Sequence, residues 1–132
     1  METQPRYFLK KEDRLKSRKI IDSLFNSGKQ FSVFPFRVFW SEVTKENFLQ
    51  AAFGVSSRNF KKATDRNRIK RMTKEAYRLQ KNPVFNQLQE KNKQLSLFIL
   101  YTGNEIPHYS VLSEKMTSIM KKLIKIVDEM AE

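Results

Sequence analysis

Apolar positions recur along this chain with two different periods, and the change from one to the other divides it into elements. Over residues 17–26, Ile20, Ile21, Leu24 and Phe25 form one helical stripe, and Gly28 stands where such a helix would stop. Residues 31–42 are aromatic and β-branched, interrupted by Pro35; this predicts a short strand, a break, and a strand over 36–42. Residues 44–47 are polar and read as a hairpin loop. Residues 48–56 predict a third strand, with Ala51, Phe53 and Val55 alternating against Ala52, Gly54 and Ser56. A polar lead-in over 91–94 precedes a nearly continuous apolar run, 95–101, which suits a central strand covered on both faces. After Pro107, a last helix over about 110–130 carries Leu112, Met116, Ile119, Met120, Leu123, Val127 and Met130 on one side.

The expected order is helix, three strands, helix, strand, helix: a single α+β domain spanning residues 1–132, with 1–10 a loose, flexible arm. Early strands joined by short loops should be antiparallel. The third and fourth can run parallel across the intervening helix. A four-stranded sheet with helices packed on it is an α+β sandwich.

That intervening helix changes the picture. Residues 58–78 hold nine Lys or Arg against two acids, a balance of +7 within a whole-chain charge of +12. Thr64 can cap the helix, and Asp65 suits the positive end of its dipole. Ile69, Met72, Ala76 and Leu79 make an apolar side. Arg66, Lys70 and Lys74 run along another, broadened outward by Asn67, Arg71, Lys74 and Arg78, with Arg68 near the opposite margin. A charge run is most often a solvated helix face. Here so few acids balance it that like charges four apart repel, and a phosphate backbone would neutralise them. Arg offers forked donors, Lys a point charge, and Asn a bond to sugar or base edges.

Composition excludes several classes. The 132 residues contain no Cys, so disulfides and thiolate zinc sites are ruled out. No run approaches the roughly 20 apolar residues of a membrane-spanning helix, and the N-terminus has no apolar core of signal-peptide type, so a cytoplasmic protein is expected. A membrane-surface helix fits poorly, because its apolar side is needed by the core. No helix-turn-helix spacing suggests DNA. Residues 104–132 carry four Lys against five acids, so the cations are concentrated on one region. His108 is the only histidine, the carboxylates are scattered and there are only three Gly, so neither a protein nuclease site nor a phosphate loop is visible.

Phe53-Gly54-Val55-Ser56, Arg66-Asn67-Arg68-Ile69-Lys70-Arg71 and Glu75-Ala76-Tyr77-Arg78 together resemble the signature of the bacterial ribonuclease P protein subunit. Arg14-Leu15-Lys16, followed by the first helical stripe and Gly28, is similar to that family's first helix. The resemblance implies a left-handed crossover between parallel third and fourth strands, against the usual right-handed rule. It implies a large catalytic RNA as partner and precursor tRNA as substrate. The RNA would supply the active site and bind Mg²⁺, with no catalytic or metal-binding residue in the protein. Arg66, Asn67, Arg68, Lys70 and Arg71 match the RNA-facing motif, with Arg58, Lys61, Lys62, Lys74 and Arg78 extending it; Lys74 replaces a frequent Arg. A cleft for the single-stranded 5′ leader would be lined by Ile21 and Phe25 from the first helix and by Arg37 and Phe39 from the second strand.

This chain departs from the family pattern at several points. Ile21 and Phe39 stand where the family often has, respectively, an aromatic residue and a Tyr. Arg58-Asn59 replaces a frequent Lys-Lys, and Lys61 or Lys62 a frequent Gly. Tyr101-Thr102-Gly103 replaces a more basic turn. Core packing is the competing reading of Phe25 and Phe39. A structural RNA-binding protein, such as a ribosomal protein, is the competing reading of the whole.

Overall fold

A computed structural model describes residues 13–43 and 48–130; the expected arm over 1–10 and the expected loop over 44–47 lie outside the described residues. The first helix, α1 (Arg18–Ser27), starts where Ser17 Oγ accepts from the Ile20 N–H at 3.3 Å. It ends where the Gly28 N–H donates to Leu24 O at 3.1 Å. A Cβ on Gly28 would stand 2.5 Å from that carbonyl oxygen, so glycine is needed for the close approach. Strands β1 (Lys29–Val33) and β2 (Phe36–Val43) flank a turn with a cis Phe34–Pro35 peptide. Strand β3 (Leu49–Val55) leads to the basic helix α2 (Ala63–Gln80) and a further helix α3 (Asn82–Lys91); then come β4 (Gln94–Tyr101) and α4 (Tyr109–Asp128).

The sheet order is β1-β2-β4-β3. β1 pairs antiparallel with β2, β2 antiparallel with β4, and β3 parallel with β4. The hairpin expected between β2 and β3 does not form: β4 lies between them. The cause is the composition of β4, whose apolar side chains on both faces gain most from a central position. α3 is an element beyond the expected order. Pro83 sits in its first turn, where a missing N–H costs nothing, and Val84 and Leu88 bury one side.

The two faces of the sheet are unequal. One carries Phe36, Val38, Leu49, Ala51, Leu95, Leu97, Ile99 and Tyr101 into the main core, where α2, α3 and α4 cover them. All six internal apolar positions expected on the last helix, Leu112 to Val127, are buried there. The other face carries a small cluster of Leu15, Leu24 and Phe39, with α1 across it. Leu15 is held by its N–H donating to Ala51 O at 2.9 Å, so the segment before α1 runs beside β3. α1 is short, and covers only part of this face. Among the described residues, no helix is long and apolar enough to cross a membrane.

Candidate nucleic-acid interface

α2 buries Ile69, Thr73, Ala76 and Tyr77, with Met72 half-buried beside them. This corrects the expected apolar side: Leu79 is 44% exposed, and its place is taken by Tyr77, whose ring meets Phe53 edge-on at 5.2 Å. Thr73 is accommodated because its hydroxyl donates to Ile69 O at 2.8 Å. The expected Thr64 cap is also corrected. The capping residue is Lys62, with no side-chain cap bond. Arg66 fixes the entry instead: its Nη1 donates to Phe60 O at 2.7 Å and to Lys61 O at 2.8 Å.

The buried side dictates what remains outside. Asn67, Arg68, Arg71 and Lys74 are exposed on the helix, and Lys70 is half-buried at its flank. Arg58, Lys61 and Lys62 are exposed on the loop leading in. Two of the expected contacts already have partners. Arg66 is turned back on the chain as described. Arg78 meets Glu75 at 2.5 and 3.1 Å, and the hydrogen bond from Arg78, helped by its charge, holds the Glu75 carboxyl below the usual range. The loop itself is tied down by Asn59, whose Nδ2 donates to Thr102 O and Gly103 O at 3.1 Å each.

The second expected site lies on the α1 face. Strand register sets out two rows there: Gln30, Phe39, Phe98 and Ala52, and nearer the end of β3, Ser32, Arg37, Leu100 and Gly54. Phe25, 45% exposed, stacks obliquely on Phe39 at 4.7 Å and on Phe98 at 4.8 Å. Ile21 packs half-buried against the same cluster. Phe39 is only 7% exposed and forms the floor. Arg37 and Ser32 are exposed in the neighbouring row, which ends at Gly54, four residues before Arg58. The aromatic groove therefore adjoins the basic loop.

Sequence reasoning missed three residues of this surface. Phe98 lies inside a nearly continuous apolar run, and only the register assigns it to the α1 face. Gly54 was read as part of a motif; its local role is to leave room for the Phe98 ring. Asn59 was noted as a departure, and its bonds to the β4 loop were not foreseeable from type alone. Among the described residues, no three His, Asp or Glu gather as a metal site.

A dense cationic helix face on one side of the sheet and an aromatic groove on the other, with a basic loop between them, is the surface chemistry of an RNA-binding protein. A family model for ribonuclease P matches residues 9–124. The ribonuclease P protein component of Porphyromonas gingivalis is 31% identical over 128 residues, covering 96% of this chain and 91% of that protein. That of Chlorobium phaeobacteroides is 28% identical over 127 residues, covering 87% of each. The fold is similar to the Staphylococcus aureus RNase P protein, with TM-score 0.68 at 14% identity over 83% of this chain and 94% of that one. It is also similar to the Thermotoga maritima RNase P protein, with TM-score 0.62 at 20% identity over 83% and 96%. The chain belongs to the ribonuclease P protein family, the protein component of a ribonucleoprotein endoribonuclease.

Proposed function

We propose that this chain binds the catalytic RNA of ribonuclease P through α2 and the loop before it, and holds the 5′ leader of precursor tRNA on the α1 face. The observation that carries this reading is the division of α2. Its buried side anchors it to the sheet, while Asn67, Arg68, Arg71 and Lys74 are left outside beside exposed Arg58, Lys61 and Lys62. Each cation placed against a phosphate releases a counterion, so binding should weaken steeply with salt. Lys70 joins this set from the flank. Arg66 shapes the loop, and Arg78 contributes only as far as Glu75 releases it.

On the α1 face, Phe25 and Phe98 offer apolar ring surface to unpaired bases, with Ile21 beside them and Phe39 beneath. Stacking of this kind accepts any base and contributes about 1–3 kcal/mol per base. Arg37 supplies a cation for the leader phosphates. Together the surfaces orient the leader relative to the RNA and offset repulsion between two polyanions, which raises substrate affinity and lowers the Mg²⁺ needed. The Mg²⁺ itself belongs to the RNA in this reading. The two carboxylates of α2, Asp65 and Glu75, lie far apart in sequence, and Glu75 is engaged by Arg78, an arrangement that does not fit a protein-held cation.

The test is precursor tRNA cleavage at low Mg²⁺ with the protein alone, the catalytic RNA alone, and both. Cleavage at the mature 5′ end only with both present is the expected result. Tight RNA binding with no effect on that cleavage would favour a structural RNA-binding role instead.

A further inference from the structure

Phe34 is 76% exposed, more than any other large apolar side chain among the described residues. A single exposed apolar residue needs no explanation by itself. The surroundings of this one do. It lies in the turn closed by the Val33–Phe36 pair, and that turn is fastened to the rest of the molecule. Pro35 O accepts from the Thr102 N–H at 2.7 Å and from Thr102 Oγ1 at 2.9 Å. The carbonyls of Thr102 and Gly103 accept in turn from Asn59 Nδ2. Gly103 has no room to vary, since a Cβ there would stand 2.6 Å from the Tyr101 hydroxyl. The β1–β2 turn, the loop after β4 and the loop into α2 thus form one tied unit.

The charge of that unit is predominantly positive. Residues 32–37, 56–62 and 101–105 contain Arg37, Arg58, Lys61 and Lys62, all exposed, against one carboxylate, Glu105. An aromatic ring on anchored backbone amid an excess of cations is complementary to a single strand of nucleic acid, whose bases are free to stack and whose phosphates are anionic. A duplex hides its base faces and offers no such partner. From Phe39 to Phe36 is three residues of β2, about 10 Å, so the turn lies beyond the Phe25 groove along the strand direction.

We infer that Phe34 is a further stacking site, which takes an unpaired base of the 5′ leader after the strand has crossed Gly54, Leu100, Arg37 and Ser32. The inference rests on the function proposed above. It adds a reach along the leader that the Phe25 groove alone does not give.

The experiment uses the full chain assembled with the catalytic RNA, and compares wild type, Phe34→Ala and Phe34→Trp on precursor tRNAs of graded leader length. Phe34→Ala should weaken binding by roughly 5- to 150-fold, the worth of one base–aromatic stack, only for leaders long enough to reach the turn. Phe34→Trp should retain wild-type affinity at every length. Unchanged affinity at all lengths, or an equal loss at all lengths, would overturn the inference. So would weakened assembly with the catalytic RNA, which would assign Phe34 to that RNA. A second measurement uses the free protein carrying Phe34→Trp with Trp40→Phe. Its emission should be quenched by single-stranded RNA, and not by duplex RNA or anionic vesicles. Quenching by either of the latter, or by none, counts against a base-stacking site. If wild type itself shows no dependence on the leader, the proposed function fails, and the emission experiment still decides whether Phe34 stacks.

Discussion

A methyl group on Gly54 would stand 2.7 Å from the ring Cζ of Phe98. The missing side chain of β3 is therefore what lets an aromatic ring of β4 lie across its neighbour. The ring cannot simply tilt away, because Phe25 holds it from above at 4.8 Å. Gly54→Ala should push Phe98 into the groove and cost about 1–3 kcal/mol of stability. Urea unfolding gives that cost. Leader-dependent affinity should fall more than affinity for the catalytic RNA, and equal losses in both would show that the groove is not the site affected.

Phe25 and Phe39 touch each other and should nevertheless separate in their effects. Phe39 is the buried floor, so Phe39→Ala opens a cavity and should cost about 3–5 kcal/mol. Phe25 is nearly half exposed, and Phe25→Ala should cost well under that. Its main effect should be to reduce discrimination between precursor tRNA and a substrate without a leader. Denaturation midpoints paired with affinities for the two substrates test the split. A Phe25→Ala variant that loses both affinities equally would place Phe25 in a folding role.

Arg66 and Arg71 are chemically identical and do different things. Both Arg66 contacts are to backbone carbonyls of the loop, whereas Arg71 is exposed on the outer side of α2. Arg66→Met should cost about 1.5–3 kcal/mol of stability, as expected for hydrogen bonds from a charged donor. It should leave the salt slope of RNA binding nearly unchanged. Arg71→Ala should do the reverse: little loss of stability, and a slope reduced by about 0.7–0.9. Finding both effects at either residue would blur the distinction.

These cases show where the sequence was legible. The buried side of α4 followed from spacing alone, because Leu112, Met116, Ile119, Leu123 and Val127 repeat at steps of three and four. The central place of β4 followed from an apolar run on both faces. Its consequence did not, since a short polar loop between β2 and β3 suggests a hairpin whether or not another strand intervenes. α3 is missing from the expected order, although a proline in the first turn is compatible with a helix and Val84 and Leu88 mark its buried side. The charge of the interface was plain. The partner of each cation was not, because Arg66 and Arg71 differ only in what tertiary structure sets beside them. Phe98 could not be assigned to a face within a run where every residue but Ser96 is apolar.

Glu75 restrains one cation of the candidate interface, Arg78. Its pair with Arg78 lies on the outer side of α2, where a phosphate would compete for the guanidinium. Glu75→Gln removes the competing charge and raises the balance over residues 58–78 by one. The salt dependence of RNA binding should then steepen by about 0.7–0.9 in log–log slope. The Glu75 carboxyl titrates below its ordinary range. Its pairing is thus complete above the unfolded carboxylate pKa and lost as pH falls through the folded one. Wild type should accordingly approach the variant at acidic pH. A slope identical in the two proteins at neutral pH would mean that Arg78 makes no phosphate contact.

Tyr77 contributes to stability through its ring and not its hydroxyl. It is fully buried against Phe53, and its Oη has no hydrogen-bond partner among the described residues. Burial, and secondarily the charge of Asp13, pushes its pKa well above the ordinary value of 10. The unfolded chain therefore loses this proton first as pH rises. Stability should be unaffected below about pH 10 and then fall by up to about 1.4 kcal/mol per pH unit from this group. Tyr77→Phe keeps the packing and removes both the unpaired hydroxyl and the titration. It should be neutral or stabilising at pH 7, since no hydrogen bond is lost, and should show a shallower alkaline decline. Urea midpoints across pH 7 to 11 test this, and a destabilised Tyr77→Phe at neutral pH would show that the hydroxyl is bonded after all.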